Sequence, residues 1–386
     1  MGSKFHNVEA ARREAQRRLP RAVFDYVDGG ADDEVTMRRN SDDLRSVALR
    51  PRMATGISRP NLATSVLGQE LAVPILMAPC GFARALHPDG EAGVARAAHR
   101  LGVISILSAA SGTTMEEVAA GAPGARQWFQ VYFIGGRTGA AQLVDRAETL
   151  GYSGLVVTVD TSAIGNRERD VVNHVPQPLR VDVRTALRHG PNMVRHPRWL
   201  SRFVRDGMPM NLANAKGMSI NGQPLRPLDA AGMIATEPPS WADVAWLRSR
   251  WSGPLIVKGI LTGDDARRAL DAGADCVVVS NHGGRQLDGV ESTIRVLSEI
   301  VDAVGSDAEV LFDSGIRRGG DIVKALSLGA RAVLVGRPYL WGLACGGEQG
   351  VEDVLRLLRT ELVRTMKLLG CGSVSDLDDS WIRTNF

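Results

Sequence analysis

From residue 74 onward the apolar residues of this chain alternate between two patterns. Short runs rich in Val, Ile and Leu read as buried strands: PILMAP (74–79), VISILS (103–108), WFQVY (128–132), GLVVTVD (154–160), PLIVKG (254–259), CVVVSNH (276–282), EVLFDSG (309–315) and AVLVGR (332–337). Between them lie stretches with apolar positions three and four apart, such as GEAGVARAAHRLG, GAAQLVDRAETLG and GVEDVLRLLRTELVRTMKLLG. That spacing belongs to amphipathic helices. Strand–helix alternation requires parallel strands joined by right-handed crossovers. Eight units in about 280 residues predict an α/β fold of the closed (β/α)8 TIM-barrel type, against the alternative of an open doubly wound sheet.

Two stretches fall outside this rhythm. Residues 1–73 read as an N-terminal arm, helical at 7–19 and 20–28 and irregular beyond. A long gap, roughly 161 to 237, separates the fourth strand from its helix, and loops of that length inside a barrel are functional or disordered. The organisation expected is one domain over 1–386, with an arm (1–73), a barrel (74–371) and an insertion (177–226).

Composition narrows the class. The chain is 44% hydrophobic and 23% charged, as soluble globular chains are. No apolar run is long enough to span a bilayer, and MGSKFHNVEAARREAQRRLP lacks the apolar centre of a secretory signal. Cys80, Cys276, Cys345 and Cys371 are scattered, with neither metal-type nor disulfide-type spacing, which points to the reducing cytoplasm. A net charge of +3 argues against nucleic acid as the main partner. The charge is unevenly spread, however: residues 177–226 hold eight arginines and one lysine against two aspartates.

The chemistry gathers at one end of the predicted strands. In strand order they finish in Pro79-Cys80-Gly81, Ser108, Gln130 with Tyr132, Thr158 with Asp160, Lys258, His282, Asp313 to Gly315, and Gly336-Arg337. Active sites of this fold form at the C-terminal strand ends. Polar groups there are costly to bury unless something satisfies them, so the set implies a polar ligand. DSGIRRGGD and VGRP are glycine-rich turns that feed helices and carry Arg317 and Arg337, the pattern of a phosphate site; tight turns alone would also explain the glycines. The stretch SNHGGRQLDG (280–289) sets a histidine, two glycines and an arginine directly after a buried strand. A strand followed by a polar loop is its plainer explanation.

Together these residues resemble the FMN-dependent 2-hydroxy acid dehydrogenases and oxidases. The similarity runs from YVDGGADDE (26–34) through WFQVY, TVD, RERD, KGI, SNHGGRQLDG and DSGIRRG to VGRPYLWGLA (335–344). Gly81, NRERD (166–170), HPRW, FVRDGMP and LAN look most like its membrane-associated branch of (S)-mandelate and L-lactate dehydrogenases. The resemblance implies FMN as cofactor. It implies His282 as base with Asp160 as its partner, Arg285 and Tyr26 holding the substrate carboxylate, and Arg167 adding positive potential in the substrate site. Tyr132 would bond substrate near the reacting carbon, and Lys258 would sit at the flavin edge that becomes anionic. Ser108, Gln130 and Thr158 would bond the flavin ring beside the backbone of Ala78, Pro79, Cys80 and Gly81. Asp313, Gly315, Arg317, Gly336 and Arg337 would hold the ribityl phosphate end. Gly283 and Gly284 would allow close approach to the site, and Asp288 would serve loop structure.

The expected reaction is oxidation of an L-(S)-2-hydroxy acid, mandelate-type favoured, with electrons passing to a quinone-like acceptor. The alternatives are an L-lactate dehydrogenase, an oxidase releasing hydrogen peroxide, an oxidase of a peptide-derived substrate, and a non-catalytic flavin-binding, membrane-tethered protein. The stretch NMVRHPRWLSRFVRDGMPMNL (192–212) interleaves Trp199, Leu200, Phe203, Val204, Met208 and Met210 with Arg195, Arg198, Arg202 and Arg205. It reads as a segment for an anionic membrane surface, on the inner face of the cell membrane, or else as packing against the barrel or a neighbouring subunit. A homotetramer is expected from the resemblance.

Overall fold

The computed structural model describes residues 5–384 apart from 175–182, 210, 221, 226–229, 231 and 235–236, with backbone alone for 183–188. Eight parallel strands close into a barrel: β1 (Ile75–Met77), β2 (Ser105–Ser108), β3 (Gln127–Val131), β4 (Leu155–Thr158), β5 (Leu255–Ile260), β6 (Cys276–Val279), β7 (Glu309–Phe312) and β8 (Ala332–Val335). Pairing of Val333 with Ile75, and on to Val335 with Met77, seals β8 against β1. The strands stop one to three residues short of several sequence-based limits. His282, in particular, lies beyond the end of β6.

Strand periodicity of two sorts the side chains. Leu76, Ile106, Trp128, Val156, Ile256, Val278, Leu311 and Leu334 form one buried cluster inside the barrel. Their strand neighbours Ile75, Leu107, Phe129, Val157, Val257, Val277, Phe312 and Val333 belong to the cluster beneath the helices. A hairpin pairing 64–66 with 69–71 closes the N-terminal mouth, with Val66 and Leu71 in the inner cluster. The next inward register after the inner apolar residues is Ala78, Ser108, Gln130, Thr158, Lys258, Ser280, Asp313 and Gly336. The same alternation that packs the core therefore delivers polar groups to the C-terminal mouth.

The arm begins with α1 (Val8–Arg18) and α2 (Arg21–Asp28). It is not irregular thereafter, because α3 (Val35–Ser46) follows. This helix has no side-chain cap of its own; Asp288 accepts from the N–H groups of Val35 and Thr36 (3.1 and 2.7 Å) and caps it from the loop after β6. Residues after β4 form α4 (Glu168–Val172), α5 (Val183–Val194) and α6 (Pro197–Arg205) before the barrel pattern resumes at helix Trp241–Arg250.

The insertion is tied to the barrel mouth. Trp199 and Phe203, expected at a lipid surface, are instead buried and stack at 4.7 Å between ring centroids. Trp199 Nε1 donates to Ala85 O (2.9 Å), and Arg84 forks Asp206 with two 2.8 Å bonds. Spaced four apart, the two aromatics make the apolar face of α6 and are used up in packing. Arg195, Arg198, Arg202 and Arg205 are exposed, as are Val204 and Met208. Met210 and both limits of the 177–226 segment lie outside the described residues.

Candidate active site

A cavity of about 470 Å³ opens at the C-terminal ends of the strands. Every site residue expected from the sequence lines it except Gln130, Thr158 and Asp160, which are buried or half-buried close behind the wall. Gln130 Oε1 accepts from Ser108 Oγ (2.8 Å), and Asp160 backs His282.

His282 has φ +56°, a left-handed conformation costly for a side chain of this size, and Gly283 and Gly284 continue it at +68° and +72°. The glycines answer to the chain's own parts. A Cβ on Gly284 would lie 2.6 Å from Met37 N in α3, and one on Gly283 would lie 2.7 Å from an Arg337 nitrogen. The close approach is thus of the arm to Gly284 and of Arg337 to Gly283. His282 Nδ1 lies 2.9 Å from Asp160 Oδ1. Burial pushes the imidazole's pKa below its ordinary value, with Asp160 opposing. Burial would raise the Asp160 carboxyl, but His282 and then Lys258 outweigh it and hold it below the usual carboxylate range. The resting pair is a neutral imidazole donating Nδ1–H to a carboxylate, which leaves Nε2 with a lone pair.

Lys258 Nζ reaches Ser280 Oγ (2.7 Å) and Asp313 Oδ2 (3.1 Å). Burial alone would lower its pKa; Asp313 and Asp160 reverse that and keep it charged. Asp313, which lines the cavity, pairs with Lys258 and accepts from Ser314 Oγ (2.7 Å). The side chain of Arg337 lines the cavity and also reaches the arm. It donates to the carbonyls of Val27, Gly29 and Gly283, bracing the arm. Arg285 Nη1 likewise donates to Tyr26 O and Gly29 O (2.8 and 2.9 Å).

The cavity is rich in cations that the protein compensates poorly. Burial, then the guanidiniums of Arg167 and Arg337, push Arg285 down to about 9. Burial, only partly opposed by Asp28, pushes Arg317 down to about 10; burial and Arg317 do the same to Arg337. A bound anion relieves this strain. Tyr26 and Tyr132 are raised, first by burial, and stay neutral donors.

The residues fit a phosphate-bearing flavin. Arg317 lines the cavity near the starts of helices Gly319–Ser327 and Arg337–Leu369, and Gly315 (φ +91°) turns the loop between β7 and the first of these. Lys258 supplies a fixed positive charge on the inward register. Residues 15–384 match a family described as FMN-dependent dehydrogenase. The chain belongs to that family. It is accordingly an FMN-dependent oxidoreductase of the 2-hydroxy acid dehydrogenase and oxidase family, with the TIM barrel expected from its sequence. Among its relatives, pre-mycofactocin synthase of Mycobacterium tuberculosis is 40% identical over 386 residues, covering 99% of this chain and 96% of that protein. (S)-Mandelate dehydrogenase of Pseudomonas putida is 40% identical over 388 residues, covering 99% and 95%. A solved structure of (S)-mandelate dehydrogenase, described as a monotopic membrane protein, superposes with a TM-score of 0.91 at 39% identity, covering 99% of this chain and all of that one.

Some lining residues were not singled out from the sequence. Phe82, Thr161, Ile164, Leu212 and Ile234 complete the wall, and Asp170 stands beside Arg167. Leu212 arrives through the insertion, where Ala213 N donates to Ser111 O and Asn214 bonds both Ser111 Oγ and Met115 N. Only the spacing of NRERD held a signal for Asp170, because Asp170 lies three residues beyond Arg167 on one helical turn.

Proposed function

We propose that this dehydrogenase oxidises the (S)-enantiomer of a 2-hydroxy acid, with an aromatic, mandelate-type side group favoured, to the 2-keto acid. The observation that carries this is His282, backed by Asp160, sharing one cavity with Arg285 and Arg167. FMN, when bound, supplies the two-electron acceptor that no side chain can provide. His282 Nε2 takes the proton that leaves the substrate, and Asp160 stabilises the imidazolium that forms. Arg285 and Arg167 hold the carboxylate, a planar anion suited to an arginine fork, with Tyr26 beside it. Tyr132 donates to substrate oxygen, and Lys258 stabilises negative charge at the flavin edge. Phe82, Ile164, Leu212 and Ile234 support an apolar side group. An added Cβ at Gly81 would lie 2.8 Å from Ala110 O, so alanine there acts by displacing the loop after β2. Anaerobic flavin bleaching by a panel of (S)-2-hydroxy acids, repeated with Gly81→Ala, tests the substrate. Preference for lactate over mandelate, unmoved by the alanine, would count against an aromatic substrate, and no bleaching by any acid would count against the whole reading.

We further infer a quinone-like electron acceptor, a homotetrameric assembly and a peripheral position on the inner face of the cell membrane. Among the described residues no helix is long and apolar enough to cross a membrane. With Trp199 and Phe203 packed inward, docking would fall to Arg195, Arg198, Arg202 and Arg205 with exposed Val204 and Met208. Each basic residue near anionic lipid contributes about 1 kcal/mol, so reversible, salt-sensitive binding is expected. Co-sedimentation with anionic vesicles at low and high salt tests it; no binding at low salt would return the segment to a packing role. Reduction of a quinone analogue against release of hydrogen peroxide separates dehydrogenase from oxidase.

A further inference from the structure

One acid in the cavity wall has no part in the reaction just described. Asp170 lies on α4, and its backbone N–H donates to Arg167 O (2.9 Å). Asp170 as a whole is 2% exposed and lines the cavity together with Tyr26, Arg167 and Arg285. Its Oδ1 is buried without a hydrogen-bond partner, and so is Arg167 Nε on the same turn. Buried polar atoms are nearly always satisfied, so an unsatisfied acceptor and donor in one wall mark a place where a ligand completes the bonding.

The neighbouring charges are otherwise engaged. On α4, Arg169 pairs with Asp28 (2.9 Å) and Glu34 (2.6 Å), and Glu168 is exposed. On α2, which packs against α4, Asp25 accepts from Asn173 Nδ2 (2.7 Å) and meets Arg21 at 3.3 Å, while Asp28 is forked by Arg12. Of the carboxyls on α4 and α2, Asp170 is the one left facing the cavity, where Arg285 and Arg167 are the cations that act on it.

We propose that Asp170 is the resting counter-carboxylate of the Arg167–Arg285 pair and yields to the substrate's carboxylate by taking up a proton, so that 2-hydroxy acid binding is coupled to protonation of this one side chain. The inference rests on the substrate being a carboxylate. Two carboxylates beside the same guanidiniums repel each other, and the cheaper outcome is for the fixed one to become neutral. Burial already raises the Asp170 pKa; Arg285 and Arg167 oppose this, and Asp25 adds to it. The protonated form therefore persists to higher pH than for an ordinary aspartate. Above its titration, substrate affinity weakens as a proton must be acquired from solvent with each anion bound. Asp170 acts on binding and positioning, and His282 remains the base.

The test is calorimetric titration of oxidised holoenzyme with phenylacetate, a carboxylate with no hydroxyl to oxidise, in buffers of different ionisation enthalpy and across pH. Wild type should take up a proton on binding, with the dissociation constant rising about tenfold per pH unit above the Asp170 titration. His282 titrates in the same cavity, so the difference between wild type and Asp170→Asn carries the assignment. The asparagine variant should lose that uptake and bind with an affinity flat in pH, and its change in turnover should fall on KM rather than kcat. Asp170→Glu should restore the pH dependence. Equal proton uptake in wild type and Asp170→Asn overturns the inference and leaves the proposed reaction standing, and so does absence of uptake in wild type alone, which needs no variant to fold. Failure of every carboxylate to bind, at any pH and in either protein, would instead remove the proposed function.

Discussion

Replacing Asp160 by asparagine isolates the charge behind the base. Asparagine is nearly isosteric and can still accept from Nδ1–H of His282, now 2.9 Å from the carboxylate. What disappears is the attraction between carboxylate and imidazolium as the proton arrives. A hydrogen bond to a charged group contributes about 1.5–3 kcal/mol net. Bare attraction between unit charges about 3–4 Å apart, at an effective dielectric near ~20, is about 4–5 kcal/mol and sets the ceiling. With the hydrogen bond itself kept, we expect a loss of about 2–3 kcal/mol, or about 30- to 150-fold in the rate constant for flavin reduction. The pH profile adds a second signature. Activity needs neutral His282 and so rises with pH through its pKa, which burial lowers and Asp160 opposes. Without the carboxylate that pKa falls further, so the acid limb should move to lower pH while the plateau drops. Anaerobic stopped-flow reduction across pH measures both. A plateau near wild type, or a limb displaced toward alkaline pH, would refute the role given to Asp160.

Three further outcomes follow from the geometry. His282→Ala should fold and retain FMN yet reduce it about 10²–10⁴-fold more slowly in stopped flow, the usual range for loss of a general base. Arg285→Met should raise KM sharply and also expose the arm to limited proteolysis, because Nη1 ties down the Tyr26 and Gly29 carbonyls; unchanged proteolysis would mean Arg337 alone holds it. Asp28→Asn removes a buried carboxylate paired with Arg12 and Arg169 and should destabilise the fold by about 2–4 kcal/mol in denaturant titration. Burial would raise the Asp28 pKa, but Arg12 and then Arg337 and Arg169 bring it below the ordinary value. That stabilisation is present at neutral pH and is lost as pH falls from the unfolded value near ~3.9 through the folded one, so the variant should show a flatter acid limb of stability.

How far the chain could be read without its structure depended on whether each signal was local. The barrel was legible because period-two alternation is a property of a few adjacent residues, and the inward register that buries Ile256 and Val278 also brings in Lys258 and Ser280. The chemistry at the strand ends was legible for the same reason. Helix α3 was not, because its sequence carries no cap: the cap is Asp288, in a loop some 250 residues away that only the closed barrel brings near. The insertion left two readings open. A helix with aromatics on one face and arginines on the other looks alike whether the aromatics meet lipid or protein, and it is the burial of Trp199 and Phe203, with the bond from Trp199 to Ala85, that settles it for these two side chains.

Arg337 and Asp313 show why charge is the hardest property to assign from sequence. Both line the cavity where residues for the ribityl phosphate end were expected, and both also bond neighbours distant in the chain, Arg337 the arm's carbonyls and Asp313 Lys258. A side chain's partner, rather than its type, decides whether its charge is available to a ligand. By that criterion the arm is part of the site: it fixes Arg285 and Arg337 with its carbonyls, requires glycine at 284, and through Tyr26 shares a wall with Asp170. The left-handed turn at His282 is continued by two glycines whose missing side chains leave room for α3 beside Gly284 and for Arg337 beside Gly283, so the loop that carries the base is shaped by the arm as well as by the barrel.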